Sequence, residues 1–110
     1  PLYARLAMID ERLEIACCQY RPDSAAIEET FVSQNGASTL KLGFARGAAI
    51  VAVARQGIAV EEYAANLVKK SLTGTGHAAK EQMGMMIRAL LSGCGEPSAD
   101  EADALAVAIT

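Results

Sequence analysis

Apolar residues recur at three- and four-residue intervals from the start of the chain, with Leu2, Leu6, Ile9, Leu13 and Ala16 or Cys17 on one face. That spacing predicts an amphipathic helix over about residues 2–20. Arg21-Pro22-Asp23 ends it, because proline disfavours helical geometry at the residue before it. Residues 25–32 place β-branched and aromatic positions between turn residues, which predicts a strand, and Asn35-Gly36 reads as a turn. An Ala- and Leu-rich stretch predicts a second helix over 37–56, stopped by Gly57 in a left-handed conformation. Gly43 and Gly47 lie one turn apart on it, so another backbone can approach closely on that face.

Residues 58–63 read as a second strand and 64–72 as a helix broken at Gly74-Thr75-Gly76. A further helix over 78–91 is expected to bury Met83, Met86, Ile87, Leu90 and Leu91. Ser98 and Glu101 form the S-x-x-E capping pattern of a last helix, which should carry Ala104, Leu105, Val107 and Ala108 into the core. Strands alternating with helices make an α/β arrangement. Two strands cannot cover the apolar faces of five helical segments, so further strands or a partner are expected to complete the layer.

A length of 110 residues corresponds to one small domain or part of one. Hydrophobic residues make up 52% of the chain, yet no uninterrupted apolar run approaches the roughly 20 residues that span a bilayer. The start has no basic, apolar secretory pattern, so a soluble, cytoplasmic protein is expected. Cys17, Cys18 and Cys94 lack CxxC spacing and are joined by a single histidine, which argues for reduced core thiols over a zinc site. The net charge of −3 argues against non-specific coating of nucleic acid. Its distribution is uneven: Lys69, Lys70, Lys80, Arg88 and His77 face Glu81 alone over residues 69–88, a basic strip on an acidic body.

Asp100 and Asp103 stand three residues apart in the first turn of the last helix, where the dipole favours negative charge. Alone they fit either a solvated helix start or a paired-carboxylate site. Glu28 or Glu29 adds a carboxylate within a strand-like apolar segment; one of the two can simply point outward. A strand carboxylate and two helix carboxylates would make an all-oxygen cluster suited to Mg²⁺ or Mn²⁺. Carboxylates about 4 Å apart repel by roughly 4 kcal/mol at an effective dielectric near 20, which a divalent ion relieves. Phosphodiester hydrolysis is the chemistry that uses such a cluster best. Lys69, Lys70, Lys80 and the backbone N–H groups of the 74–77 break suit phosphate contact, or are an ordinary solvated loop. His77 has no visible partner for catalysis, and Phe31 can pack in the core or stack on a base.

Several stretches together resemble the RuvC Holliday-junction resolvases. They are Ala26-Ile27-Glu28-Glu29-Thr30-Phe31-Val32, Leu40-Lys41-Leu42-Gly43-Phe44-Ala45-Arg46-Gly47, Glu62-Tyr63-Ala64-Ala65, Val68-Lys69-Lys70, Lys80-Glu81-Gln82, and Ala102-Asp103-Ala104-Leu105-Ala106-Val107-Ala108-Ile109. They occur in family order across nearly all of the chain. The resemblance implies one RNase H-like nuclease domain over residues 1–110, without the first strands and their Asp-Pro-Gly aspartate. It implies Glu28, Asp100 and Asp103 as catalytic metal ligands, with Glu29 a neighbouring non-ligand, and two Mg²⁺ ions per complete site, Mn²⁺ being an alternative. It also implies DNA contact by Phe31, Lys69 and Lys80, with Phe31 engaging bases near the junction centre. A symmetric homodimer acting on four-way junction DNA with the RuvA–RuvB branch-migration complex follows from the same resemblance. Asp10 and Glu11 read as solvated helix charges that do not replace the absent aspartate. That absence keeps a second expectation open, a non-cleaving RNase H-like module that binds branched DNA.

Overall fold

The computed structural model describes residues 1–29 and 35–110. Its elements are α1 (Leu2–Tyr20), β1 (Ser24–Glu28), α2 (Gly36–Ala54), β2 (Ala59–Tyr63), α3 (Ala65–Thr73), α4 (Lys80–Leu90) and α5 (Ala99–Ile109). The part of the expected first strand over residues 30–32 lies outside the described residues, as does Phe31. β1 and β2 pair in a two-stranded sheet. The Glu29 N–H donates to the Tyr63 carbonyl at 2.8 Å. The ends of the two strands therefore lie side by side, and the strands run parallel. The described chain forms two compact units, one of residues 1–25 and 35–61, the other of residues 26–29 and 62–110.

In the first unit α1 packs on α2. Leu6, Ile9, Leu13 and Ala16 are the partly buried apolar positions of α1 and Cys17 is buried, which is the face the spacing marks out, except that Leu2 at its start is exposed. Asp10 and Arg55 form an ion pair between the two helical segments. α1 stops at Arg21, whose φ of 47° is left-handed and whose N–H returns to the Cys17 carbonyl at 2.9 Å. Asn35 is a helix cap rather than a turn residue, because its side chain accepts from the Ser38 N–H at 3.2 Å and α2 begins at once. Gly57 has φ of 79°, the left-handed stop expected after α2. No atom lies within 4 Å of a Cβ built on Gly43 or Gly47, so no close approach occurs there among the described residues. Cys18 is exposed, which corrects the core assignment for that thiol.

α2 is 19 residues long with a mean hydropathy of 1.3, enough by length and composition to cross a membrane. Lys41 and Arg46 interrupt it, and an arginine near the middle of such a span costs about 2.5–3.5 kcal/mol.

In the second unit α3, α4 and α5 pack against one another in pairs. Their core is Val68, Leu72, Ile87, Ala106 and Val107, with Met83, Met86, Leu91 and Leu105 partly buried against it. Leu90, Ala104 and Ala108 are exposed, contrary to the expectation from spacing. On α5 the buried stripe is Ala102, Leu105, Ala106 and Ile109 at i, i+3, i+4 and i+7, which turns 104 and 108 away.

The capping box of α5 is complete: Ser98 Oγ accepts from the Glu101 N–H at 3.2 Å, and Glu101 Oε1 accepts from the Ser98 N–H at 2.9 Å. The Ser98 backbone N–H, and then its hydroxyl, hold the Glu101 carboxyl below its ordinary value. A group depressed on folding stabilises fully above its unfolded pKa and loses that contribution as pH falls through the folded one. Ser98→Ala is expected to cost about 1 kcal/mol in urea unfolding at neutral pH. The gap from the parent should narrow in acid, where Glu101 is protonated; an equal or wider gap there would contradict this linkage.

Candidate functional site

A pocket of about 400 Å³ opens within the second unit. Helix periodicity selects its walls: Ala65, Val68 and Lys69 come from α3, and Lys80, Met83, Gly84, Ile87 and Arg88 from α4. The start of α5 adds Ser98, Ala99, Ala102, Asp103 and Ala106, and the end of β1 adds Glu28. Each helix thus offers residues spaced by three or four, an apolar floor with charged groups at its margin.

Of the residues singled out from sequence, Glu28, Lys69, Lys80 and Asp103 are brought to this pocket. Glu29 is not part of its lining, since neighbouring strand residues face opposite sides. Asp100 is exposed and also outside the lining. The wall of α5 runs through Ala99, Ala102, Asp103 and Ala106, and Asp100 sits about 100° around the helix from Ala99. His77 is exposed and not in the lining.

Three of the four backbone donors of the 74–77 break are used internally. The Gly74 N–H bonds the Lys70 carbonyl at 2.8 Å, the Thr75 N–H bonds Thr73 Oγ1 at 3.3 Å, and the His77 N–H bonds Thr75 Oγ1 at 3.3 Å. Those donors are consumed within the loop. Thr73, unremarked in the sequence, organises it, since its hydroxyl also donates to the Lys69 carbonyl at 2.8 Å. Short hydroxyl side chains at loop entries compete for backbone groups in this way.

Lys80 Nζ lies 3.6 Å from Asp103 Oδ2, with both side chains well exposed at 81% and 58%. Such a pair is worth about 0–1 kcal/mol. The side chains of Lys69 and Arg88 make no hydrogen bond or ion pair among the described residues. Glu28 and Asp103 provide oxygen donors of the type a hard divalent ion takes. Among the described residues no three His, Cys, Asp or Glu side chains gather closely enough to hold a metal ion. The donor chemistry fits, with two carboxylates on the pocket.

The sequence model of the family described as Crossover junction endodeoxyribonuclease RuvC matches residues 1–110. The chain belongs to the RuvC family. It is 55% identical over 108 residues to the crossover junction endodeoxyribonuclease RuvC of Paramagnetospirillum magneticum, covering 98% of this chain and 65% of that relative. The RuvC of Bradyrhizobium diazoefficiens is 53% identical over 110 residues, covering all of this chain and 63% of the relative. The chain therefore spans slightly less than two thirds of the length of these RuvC relatives. A structure of T. thermophilus RuvC in complex with a Holliday junction substrate is similar at a TM-score of 0.93 and 36% identity, covering 99% of this chain and 67% of that one. A second Thermus thermophilus RuvC structure gives 0.87. The fold is RNase H-like, as the sequence resemblance implied.

Sequence reasoning placed Arg88 in the basic strip without giving it a role. Its signal was the spacing Lys80, Gly84, Arg88, four residues apart on one face of α4.

Proposed function

We propose that residues 1–110 form part of one RNase H-like RuvC nuclease domain. The full-length polypeptide would be a Mg²⁺-dependent crossover junction endodeoxyribonuclease, with Mn²⁺ as an alternative ion. It resolves Holliday junctions by symmetric nicking of two strands during recombination and DNA repair. The observation that carries this reading is the meeting of Glu28 and Asp103 with Lys69 and Lys80 in one pocket of a RuvC-family chain. A T. thermophilus relative solved with a Holliday junction substrate supports the choice of DNA.

Glu28 and Asp103 would hold the ions, with Asp100, beside the pocket on the same helix turn, as the further ligand that the family resemblance implies. When bound, divalent ions neutralise this acidic edge and supply Lewis-acid activation of water. Lys69 and Lys80 take backbone phosphates, Lys80 exchanging its weak contact with Asp103 for DNA. Phe31 stacks on a base near the junction centre. Leu40, Phe44 and Val51 share one face of α2 and are each more than two fifths exposed, an apolar surface that supports assembly as a homodimer. Two sites related by a two-fold axis then match the two strands to be cut. The setting is the bacterial cytoplasm, with RuvA–RuvB as the companion motor.

One observation favours a second reading, a DNA-binding module that does not cut: no three-carboxylate cluster occurs among the described residues. Nicking of a labelled four-way junction by the full-length polypeptide in Mg²⁺ or Mn²⁺ separates the two. Symmetric nicks support the endonuclease; tight binding without nicks in either ion supports the module. Lys69→Ala or Lys80→Ala is expected to lower the slope of log affinity against log salt by about 0.9 each, as loss of one phosphate contact does. An unchanged slope counts against that lysine.

A further inference from the structure

We propose that Arg88 is a phosphate-binding residue of this pocket, holding with Lys69 a backbone phosphate of the DNA strand beside Glu28 and Asp103. The inference rests on the reading of the pocket as a DNA-cleaving site and assigns it a further contact.

Direction is the first observation. Arg88 lies in the last turn of α4, where a cation complements the helix dipole wherever it points. Its guanidinium, however, is laid back along α4 onto Gly84: a Cβ there would lie 3.4 Å from Nη1, 3.9 Å from Nη2 and 4.0 Å from Cζ. These are ordinary van der Waals distances, so the guanidinium lies against Gly84, and both residues line the pocket.

Charge balance is the second. Lys69, Lys80 and Arg88 line the pocket against Glu28 and Asp103, and among the described residues the one ion pair they form is Lys80 with Asp103. Lys69 and Arg88 are left without an anionic partner among the described residues. They stand at a pocket walled by Val68, Met83, Ile87 and Ala106, where apolar surroundings strengthen attraction for an incoming anion. A guanidinium presents a planar fork of donors that matches two oxygens of one phosphate, and an ammonium adds a point charge. The pair is therefore suited to a phosphodiester.

The test measures affinity of the full-length polypeptide for a fluorescent four-way junction from 50 to 200 mM salt, with Arg88→Gln and Arg88→Lys. The glutamine variant should lower the salt slope by about 0.9, so that its affinity falls about 3.5-fold less than the parent's over that range. The lysine variant, keeping charge and stem, should retain the slope while binding more weakly. A glutamine variant with the parent's slope overturns the proposal, even if its affinity is lower at every salt concentration. Loss of slope in the lysine variant as well marks a packing role and also overturns it. A parent that binds and nicks the junction while the glutamine variant keeps its slope removes Arg88 alone. A parent with no junction binding removes the nuclease reading and this inference together.

Discussion

Glu28→Gln in the full-length polypeptide is expected to reduce Mg²⁺-dependent nicking of a four-way junction by at least about 10²–10³-fold, equivalent to roughly 3–4 kcal/mol of barrier. Junction binding should persist. The substitution keeps the shape of the side chain and removes only its charge. Glu28 ends β1 and lines the same pocket as Asp103, so the loss falls on a carboxylate of the type that would hold a metal ion. The phosphate contacts proposed for Lys69 and Lys80 would be untouched, which is why binding and cleavage should separate. Asp103→Asn should behave alike, because its weak pairing with Lys80 contributes little to the fold. Single-turnover nicking beside fluorescence anisotropy measures both. Nicking at the parental rate by the Glu28 variant would remove it from the site.

Ile87→Ala is expected to lower stability by about 2–5 kcal/mol, the cost of emptying a well-packed aliphatic site. Ile87 is 1% exposed and belongs to the cluster formed with Val68, Leu72, Ala106 and Val107 from the flanking helices. Against a total of roughly 5–15 kcal/mol for a small domain, that is a large fraction. Urea unfolding should show a lower midpoint with little change in slope. A loss under about 0.5 kcal/mol would mean that the three helices do not close around this residue as described. Because Ile87 also floors the pocket, nicking should be measured well below the unfolding midpoint, where any remaining defect reports on the site itself.

The local elements were legible because their causes are local. The period of Leu6, Ile9 and Leu13 sets the inner face of α1; glycine at 57 and 74 takes the left-handed φ that ends a helical segment; Ser98 and Glu101 satisfy each other's backbone donors. The family, too, could be read from the order of its motifs along residues 26–109, together with the residue types of its chemistry. Tertiary packing decided which members of those motifs share a pocket. An i, i+3 pair such as Asp100 and Asp103 lies on one side of an isolated helix, but the edge of a pocket is drawn by its neighbours, and it passes between them. The same packing turned Leu90, Ala104 and Ala108 outward. It also brought Arg88 from an undistinguished basic strip to the pocket that Glu28 and Asp103 line. Hydroxyls from Thr73 and Thr75 took the N–H groups of Thr75 and His77, two of the loop donors that composition had offered to phosphate. Sequence determines periodicity, caps and chemical type, which depend on neighbours a few residues away; which charges face one another depends on how separate helices meet, and only the folded chain decides that.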